Sequence, residues 1–194
     1  MTISKRDIQI QYAMAALGAI TLCITSPAIK TYFFAHVSQQ VLAFSNLIEI
    51  GLYSLIMSGA AKDSIIDKVK AWIMPIIIID QILYGVVSLM GLEDASIRFI
   101  SLAILNSTTT ALAVVVIRDC INSHIKGREL TKYESKLAVA SQVPSFIALA
   151  LFMLVGIEMH VDTAIYIQWV SFMIIGVANI YFVKKYGKKK KEEE

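Results

Sequence analysis

Two carboxylates lie where a carboxylate is hardest to keep. Glu49 falls mid-way along an apolar run from Val37 to Ala60, and Asp80 lies about nine residues into another that starts at Ala71. If these runs are helices crossing a bilayer, a rise of about 1.5 Å per residue brings both acids close to its midplane. An ionisable group there costs roughly 2.5–3.5 kcal/mol on insertion scales, so each needs a reason. Asn46, Glu49 and Tyr53 follow i, i+3, i+7 spacing and share one helical face. Asp80 is followed by Gln81, with Tyr84 one turn beyond. No lysine or arginine sits at comparable depth, and Arg118, at the inner end of a later span, is the nearest candidate. A carboxyl without a countercharge can take up and release a proton, or trade it for a cationic substrate. The structural alternative is a neutral acid hydrogen-bonded to Asn46 or Gln81, holding helices together at about 0.6 kcal/mol per contact.

A second polar feature is the run Asn106-Ser107-Thr108-Thr109-Thr110, preceded by Ser101. Five consecutive polar residues cannot all face lipid, although Ser and Thr can bond back to the preceding turn. This stretch therefore faces protein or a wet cavity, with Asn106 and Thr109 as candidate ligand contacts. Gln168, Ser171 and Asn179 form a thinner stripe of the kind that packs helices. Ser141, Ser145 and Ala148, at i, i+4, i+7, make a small face that permits close helix approach.

The elements that must position these groups are legible from hydropathy. Of 194 residues 57% are hydrophobic and the mean hydropathy is +0.66, above the 45–50% apolar share usual in soluble domains. A hydrocarbon core of about 30 Å needs about 20 apolar residues per helix. Six spans meet that length, over 8–27, 37–60, 71–90, 97–117, 137–157 and 163–183, leaving a charged tail over 188–194. Backbone polar groups in hydrocarbon must pair internally, so the expected fold is an all-α six-helix membrane bundle. Pro27 is expected to close the first span, Ala28 to His36 to form an outer loop, and Arg118 to Lys136 to be the longest link. Sixteen basic residues fall on one side of this topology, and only Lys30 and Arg98 on the other. The positive-inside rule then places both termini in the cytoplasm and the chain in the cell membrane. Trp72, Tyr133 and Tyr186 are expected at the inner interface, and Tyr32, Phe33, Phe34 and Tyr166 at the outer one.

Several function classes are disfavoured. His36, His124 and His160 lie in or beside loops, and no HExxH pair, GxSxG elbow or phosphate-cradling glycine loop occurs. No enzyme, cofactor or metal site is expected. Cys23 and Cys120 fall near opposite membrane faces and outside any CxxC pair, which argues against a disulfide or redox chemistry. The juxtamembrane lysines are not interleaved with exposed aromatics, so no nucleic-acid surface is expected.

Taken in order, these features resemble the N-terminal six-helix half of a major facilitator superfamily transporter. Gly59-Ala-Ala-Lys-Asp63 is similar to the family's G-x-x-x-D-R-x-G-R-R loop, with the basic part reduced to Asp67-Lys68-Val69-Lys70 and displaced. Gly127-Arg-Glu-Leu-Thr-Lys-Tyr-Glu-Ser-Lys136 resembles the link into the fifth helix of drug-efflux-type members. The glycine-rich fifth-helix motif of antiporters is absent, and Ser141-Gln-Val-Pro-Ser-Phe146 stands there instead. Members normally carry twelve spans in two halves. The resemblance implies that the first and fourth helices line a cavity while the second and fifth meet the other half. It puts Glu49 at or beside that seam and makes the small face of Ser141, Ser145 and Ala148 a dimer contact. Asp80, on an outer helix, fits it poorly.

The expected function is a proton-coupled secondary transporter moving a small organic solute or drug, working as a parallel two-fold homodimer or with a paired six-span half. Its proton and substrate sites are Glu49, Asn46, Tyr53, Asn106, Thr109, Asp80 and Arg118. The alternatives are a non-transporting membrane protein (immunity factor, accessory subunit or receptor) and a piece of a longer transporter.

Overall fold

A computed structural model describes residues 3–59, 63–90, 95–155 and 158–187. Six helices are present: α1 (Lys5–His36), α2 (Gln39–Gly59), α3 (Asp63–Ser88), α4 (Ala95–Asn122), α5 (Arg128–Val155) and α6 (Val161–Tyr186). Each has a segment long and apolar enough to cross a bilayer, as expected of a multi-pass membrane protein. No strand occurs among the described residues.

α1, α4 and α6 run past the apolar spans at both ends, and α3 and α5 at their N-terminal ends, because polar residues continue a helix once it leaves hydrocarbon. Ala28 to His36 is therefore the last part of α1 and not a loop, and Pro27 lies inside that helix. A proline removes one backbone hydrogen bond, but it does not end a helix whose far turn is anchored elsewhere. Here the anchor is Phe33, 1% exposed in the bundle. The long link expected from Arg118 to Lys136 shrinks likewise to the few residues between Asn122 and Arg128. Gly127 makes that turn with φ +57°, a left-handed conformation that suits glycine. Ser4 caps α1, its hydroxyl accepting from the Asp7 N–H at 3.1 Å. The expected tail, the end of the fifth span at 156–157, and Ala60, Ala61 and Lys62 of the motif loop lie outside the described residues.

α1 packs against α5 and α6, α4 packs against α2 and α3, and α3 packs on α6. Narrower contacts join α1 to α4 and α4 to α6. Exchanging α1–α3 for α4–α6 maps the main pairs onto one another: α1 on α5 becomes α4 on α2, and α1 on α6 becomes α4 on α3. Three spans per unit is an odd number, so the two triplets cross the membrane in opposite senses. α3 and α6 approach closely, and a Cβ at Gly85 would meet the Trp169 ring at 2.8 Å.

Two apolar cores form, one towards each face. The core at the lysine-rich face gathers Ile73, Ile77, Val116, Ile121, Tyr133 and Phe182. The core at the opposite face gathers Phe33, Val37, Tyr84, Leu102, Val161 and Ile165. The expected aromatic belt is thereby split: Tyr133, Tyr186 and Phe33 are buried in the bundle, while Trp72, Phe34 and Tyr166 are exposed. Rings with a close helical neighbour bury more area inward than they would at the interface.

Candidate functional site

Between the two cores lies a layer of polar side chains. Thr21 of α1 donates to Ser171 of α6 at 2.9 Å, and Tyr84 of α3 donates to Gln168 of α6 at 2.8 Å. The Trp169 indole N–H donates to the Gln81 carbonyl at 3.0 Å. These bonds tie α1, α3 and α6 together at mid-depth. On the other side of α6 and α4, a cavity of about 580 Å3 opens between α1, α2, α4 and α6.

That cavity occupies the half of the bundle remote from the lysine-rich face. Its α1 wall comes from Leu22 to Phe34, after the helix midpoint, and its α2 wall from Leu42 to Ser54. Asn46, Glu49 and Tyr53 all line it, so the shared face read from their spacing is the face that looks into the cavity. Asn106 and Thr110 of α4 stand opposite. Phe33, Phe99 and Phe172 supply apolar rings, with the Phe33 and Phe99 centroids 4.7 Å apart. Glu49 is half-buried and makes no ion pair or hydrogen bond among the described residues. The cation on the cavity wall is Lys30, exposed on the last turns of α1.

Four of the expected site residues thus meet: Glu49, Asn46, Tyr53 and Asn106. Three do not line this cavity. Asp80 belongs to α3, whose neighbours are α4 and α6, so α4 stands between it and α2. Thr109 turns towards Asp80 rather than into the cavity. Arg118 lies twelve residues beyond Asn106, roughly 18 Å along α4, where it is exposed and pairs with Glu134 at 3.5 Å. The small face of α5 is likewise placed otherwise than the family resemblance implies. Ser145 is buried and Ser141 and Ala148 are half-buried, and the helix against which α5 chiefly packs is α1. Close approach therefore serves packing within the chain, and the side of α5 left exposed carries Val143, Phe146 and Leu154.

Sequence reasoning passed over Gln168, which both accepts from Tyr84 and lines the cavity. Its signal was present as a polar stripe on the sixth span, but stripe and site differ only through the neighbour that is missing. Arg98 was counted only as an outer-side charge at the start of the fourth span. It is 1% exposed, and its guanidinium donates to Asp162 Oδ1 at 2.6 Å and to the Ser88 carbonyl at 2.9 Å, joining α3, α4 and α6 at the outer end.

At the lysine-rich face, Asp7 stands one residue before the first apolar run. It accepts from Lys185 Nζ at 2.7 Å, from Ser4 Oγ at 2.6 Å and from the Tyr186 hydroxyl at 2.5 Å. The Lys185 ammonium and these hydroxyl donors hold its carboxyl well below the usual carboxylate range. Asp7 in turn holds the Lys185 ammonium above its ordinary value. Lys70 of α3 pairs with Asp119 of α4 nearby. Comparison of the chain with models of known protein families, with curated proteins and with solved structures returns no match.

Proposed function

We propose that this protein is a secondary carrier in which Glu49 exchanges a proton as a small organic solute occupies the cavity between α1, α2 and α4. The observation that carries this reading is the carboxyl without a partner, set on the wall of an open cavity beside the amides of Asn46 and Asn106. Amide and phenol groups fix a solute's polar end, and the phenylalanines cover its apolar part. The exchange relation between α1–α3 and α4–α6 supports the resemblance to half of a major facilitator superfamily transporter, whose halves nest inverted triplets. In this reading a second copy faces the exposed sides of α2 and α5, and the lysine-rich face is cytoplasmic.

The test is flux in proteoliposomes carrying an imposed pH gradient, screened against a panel of small organic solutes. Wild-type protein moves at least one of them in a pH-dependent manner, and Glu49→Gln loses that dependence while remaining folded. Flux with an unchanged pH profile in Glu49→Gln defeats the assignment. Absence of all flux, with a stable complex to another membrane protein, favours the accessory-subunit reading instead.

A further inference from the structure

At the lysine-rich face a second cavity, of about 710 Å3, opens where the start of α1, the turn after α4 and the start of α5 meet. Lysines from all three segments line it: Lys5, Lys126, Lys132 and Lys136. Gly127, with its left-handed φ, makes the turn that carries Lys126. The acid on the cavity wall, Glu129, accepts from Lys132 at 3.0 Å. Lys5, Lys126 and Lys136 are exposed and make no ion pair or hydrogen bond among the described residues. Neighbouring acids on α1 and α5, Asp7 and Glu134, are engaged by Lys185 and Arg118. Much of the remaining wall is apolar. Tyr12 stacks on the buried Tyr133 with ring centroids 5.5 Å apart, and Ile8 and Ile125 share their wall. His124 is committed through Nδ1 to the Cys120 carbonyl at 2.8 Å.

Topology alone accounts for basic residues at this end of the bundle. It does not account for three segments bringing lysines to one apolar-walled cavity while the acids beside it are taken up elsewhere. Like charges gathered at one surface repel, and an anion seated among them relieves that repulsion. Phosphate offers several acceptor oxygens, and lysine is a common point-charge ligand for it. Depth adds a second constraint. Ile8 and Tyr12 lie at the start of the first apolar span, and Lys136 immediately precedes the fifth. The cavity therefore straddles the level at which hydrocarbon gives way to headgroups, where basic pockets between helices suit anionic lipids.

We propose that this cavity is a phosphate site for the headgroup of an anionic phospholipid in the adjoining leaflet, held by Lys5, Lys126 and Lys136. The wall of Ile8, Tyr12 and Tyr133 covers the apolar carbons next to the phosphate. A soluble phosphate ester offers the same oxygens but leaves that wall bare. A lipid seated here ties the start of α1 to the turn between α4 and α5. The site goes beyond the carrier reading and does not depend on it.

The full chain in detergent is supplied with phosphatidylglycerol or with phosphatidylcholine of matched acyl chains. Bound lipid is read by native mass spectrometry, and folding by melting temperature. Wild type is expected to retain phosphatidylglycerol in preference to phosphatidylcholine and to melt higher with it. Joint substitution of Lys5→Gln, Lys126→Gln and Lys136→Gln weakens the apparent affinity by roughly 100-fold, at about fivefold per lysine. Arg6→Gln, Lys68→Gln and Lys184→Gln together remove the same charge from the same face outside the cavity, and this variant keeps the lipid. Should the cavity triple variant fail to fold, Lys126→Gln alone decides, with a loss of about fivefold. Inorganic phosphate is titrated in a parallel arm against chloride at equal ionic strength. A saturable response to phosphate without preference for phosphatidylglycerol overturns the lipid source. Glu49→Gln keeps the lipid preference whether or not it loses pH-dependent flux, which separates this proposal from the carrier reading. No preference in folded wild type, or equal losses in the two triple variants, overturns the site.

Discussion

The two ends of the bundle and its middle treat charge in opposite ways. At the ends, acids meet bases: Asp7 with Lys185, Asp119 with Lys70, Asp162 with Arg98. In the middle, neither acid makes an ion pair among the described residues: Asp80 accepts from the Gln81 amide, and Glu49 stands on a cavity wall of amides, hydroxyls and rings with the exposed Lys30 nearer the outer end. The ends show that this chain can pair an acid with a base where helix ends converge. The bare acids at mid-depth therefore stand out, since low dielectric makes them costlier there than anywhere else in the fold. Paired charges hold the helices together. In the proposed carrier, the unpaired Glu49 is the one that serves the proton.

The comparison can be broken most severely at Arg98. Arg98→Met removes both bonds of a guanidinium that is 1% exposed. Because its partner Asp162 is half exposed to water, the cost lies at the lower end of buried-pair losses, about 3 kcal/mol, read as a fall in melting temperature in detergent. A smaller loss is expected from Gly85→Ala, where the new Cβ would meet the Trp169 ring at 2.8 Å. Overpacking of this kind costs about 1–3 kcal/mol. Gly51→Ala is the control, because nothing lies within 4 Å of its Cβ. Equal effects at the two glycines would show that α3 and α6 are not in close contact. Tyr84→Phe removes the bond to Gln168 and is expected to cost about 0.6 kcal/mol, as for hydrogen bonds inside membranes generally.

The paired end has a pH signature. The folded state holds Asp7 below its ordinary value, so its contribution is complete above about pH 5 and is lost as pH falls through the folded value. Lys185 is held above its ordinary value, so its share persists below about pH 9 and is lost as pH rises through the folded value. The melting-temperature gap between wild type and Asp7→Asn should be flat between those limits and close under acid. The smallest effect on folding belongs to Glu49→Gln, within about 0.5 kcal/mol of wild type, because no partner is lost. A large destabilisation there would place Glu49 among the structural acids and erase the contrast.

Much of this is legible in the sequence itself. Hydropathy located six helices, and i, i+3, i+7 spacing placed Asn46, Glu49 and Tyr53 on one face, which turned out to line the cavity. What failed was anything that depends on which helix stands beside which. Asp80 and Glu49 are alike in sequence, and only the interposition of α4 separates them. The Ser141, Ser145, Ala148 face indicates close packing, but its spacing is silent on whether the neighbour is α1 or another copy. Arg98 reads only as an outer-side charge at the start of a span until the ends of α3, α4 and α6 converge on it. Helix ends were missed for a different reason: hydropathy reports where lipid begins, not where the backbone stops being helical. Pro27 made that error worse, since a proline is a stop signal only where nothing anchors the next turn.

The most direct test is water access to the cavity, measured without knowing the solute. In a Cys23→Ser, Cys120→Ser background, single cysteines at positions 46, 49, 53 and 80 are exposed to a membrane-impermeant thiol reagent from each side of sealed vesicles. Labelling at 46, 49 and 53 from the side opposite the lysine-rich face, with position 80 far slower, is the predicted result. Position 49 unreactive from both sides in folded protein would mean that Glu49 faces lipid or a dry cluster, and would contradict the account.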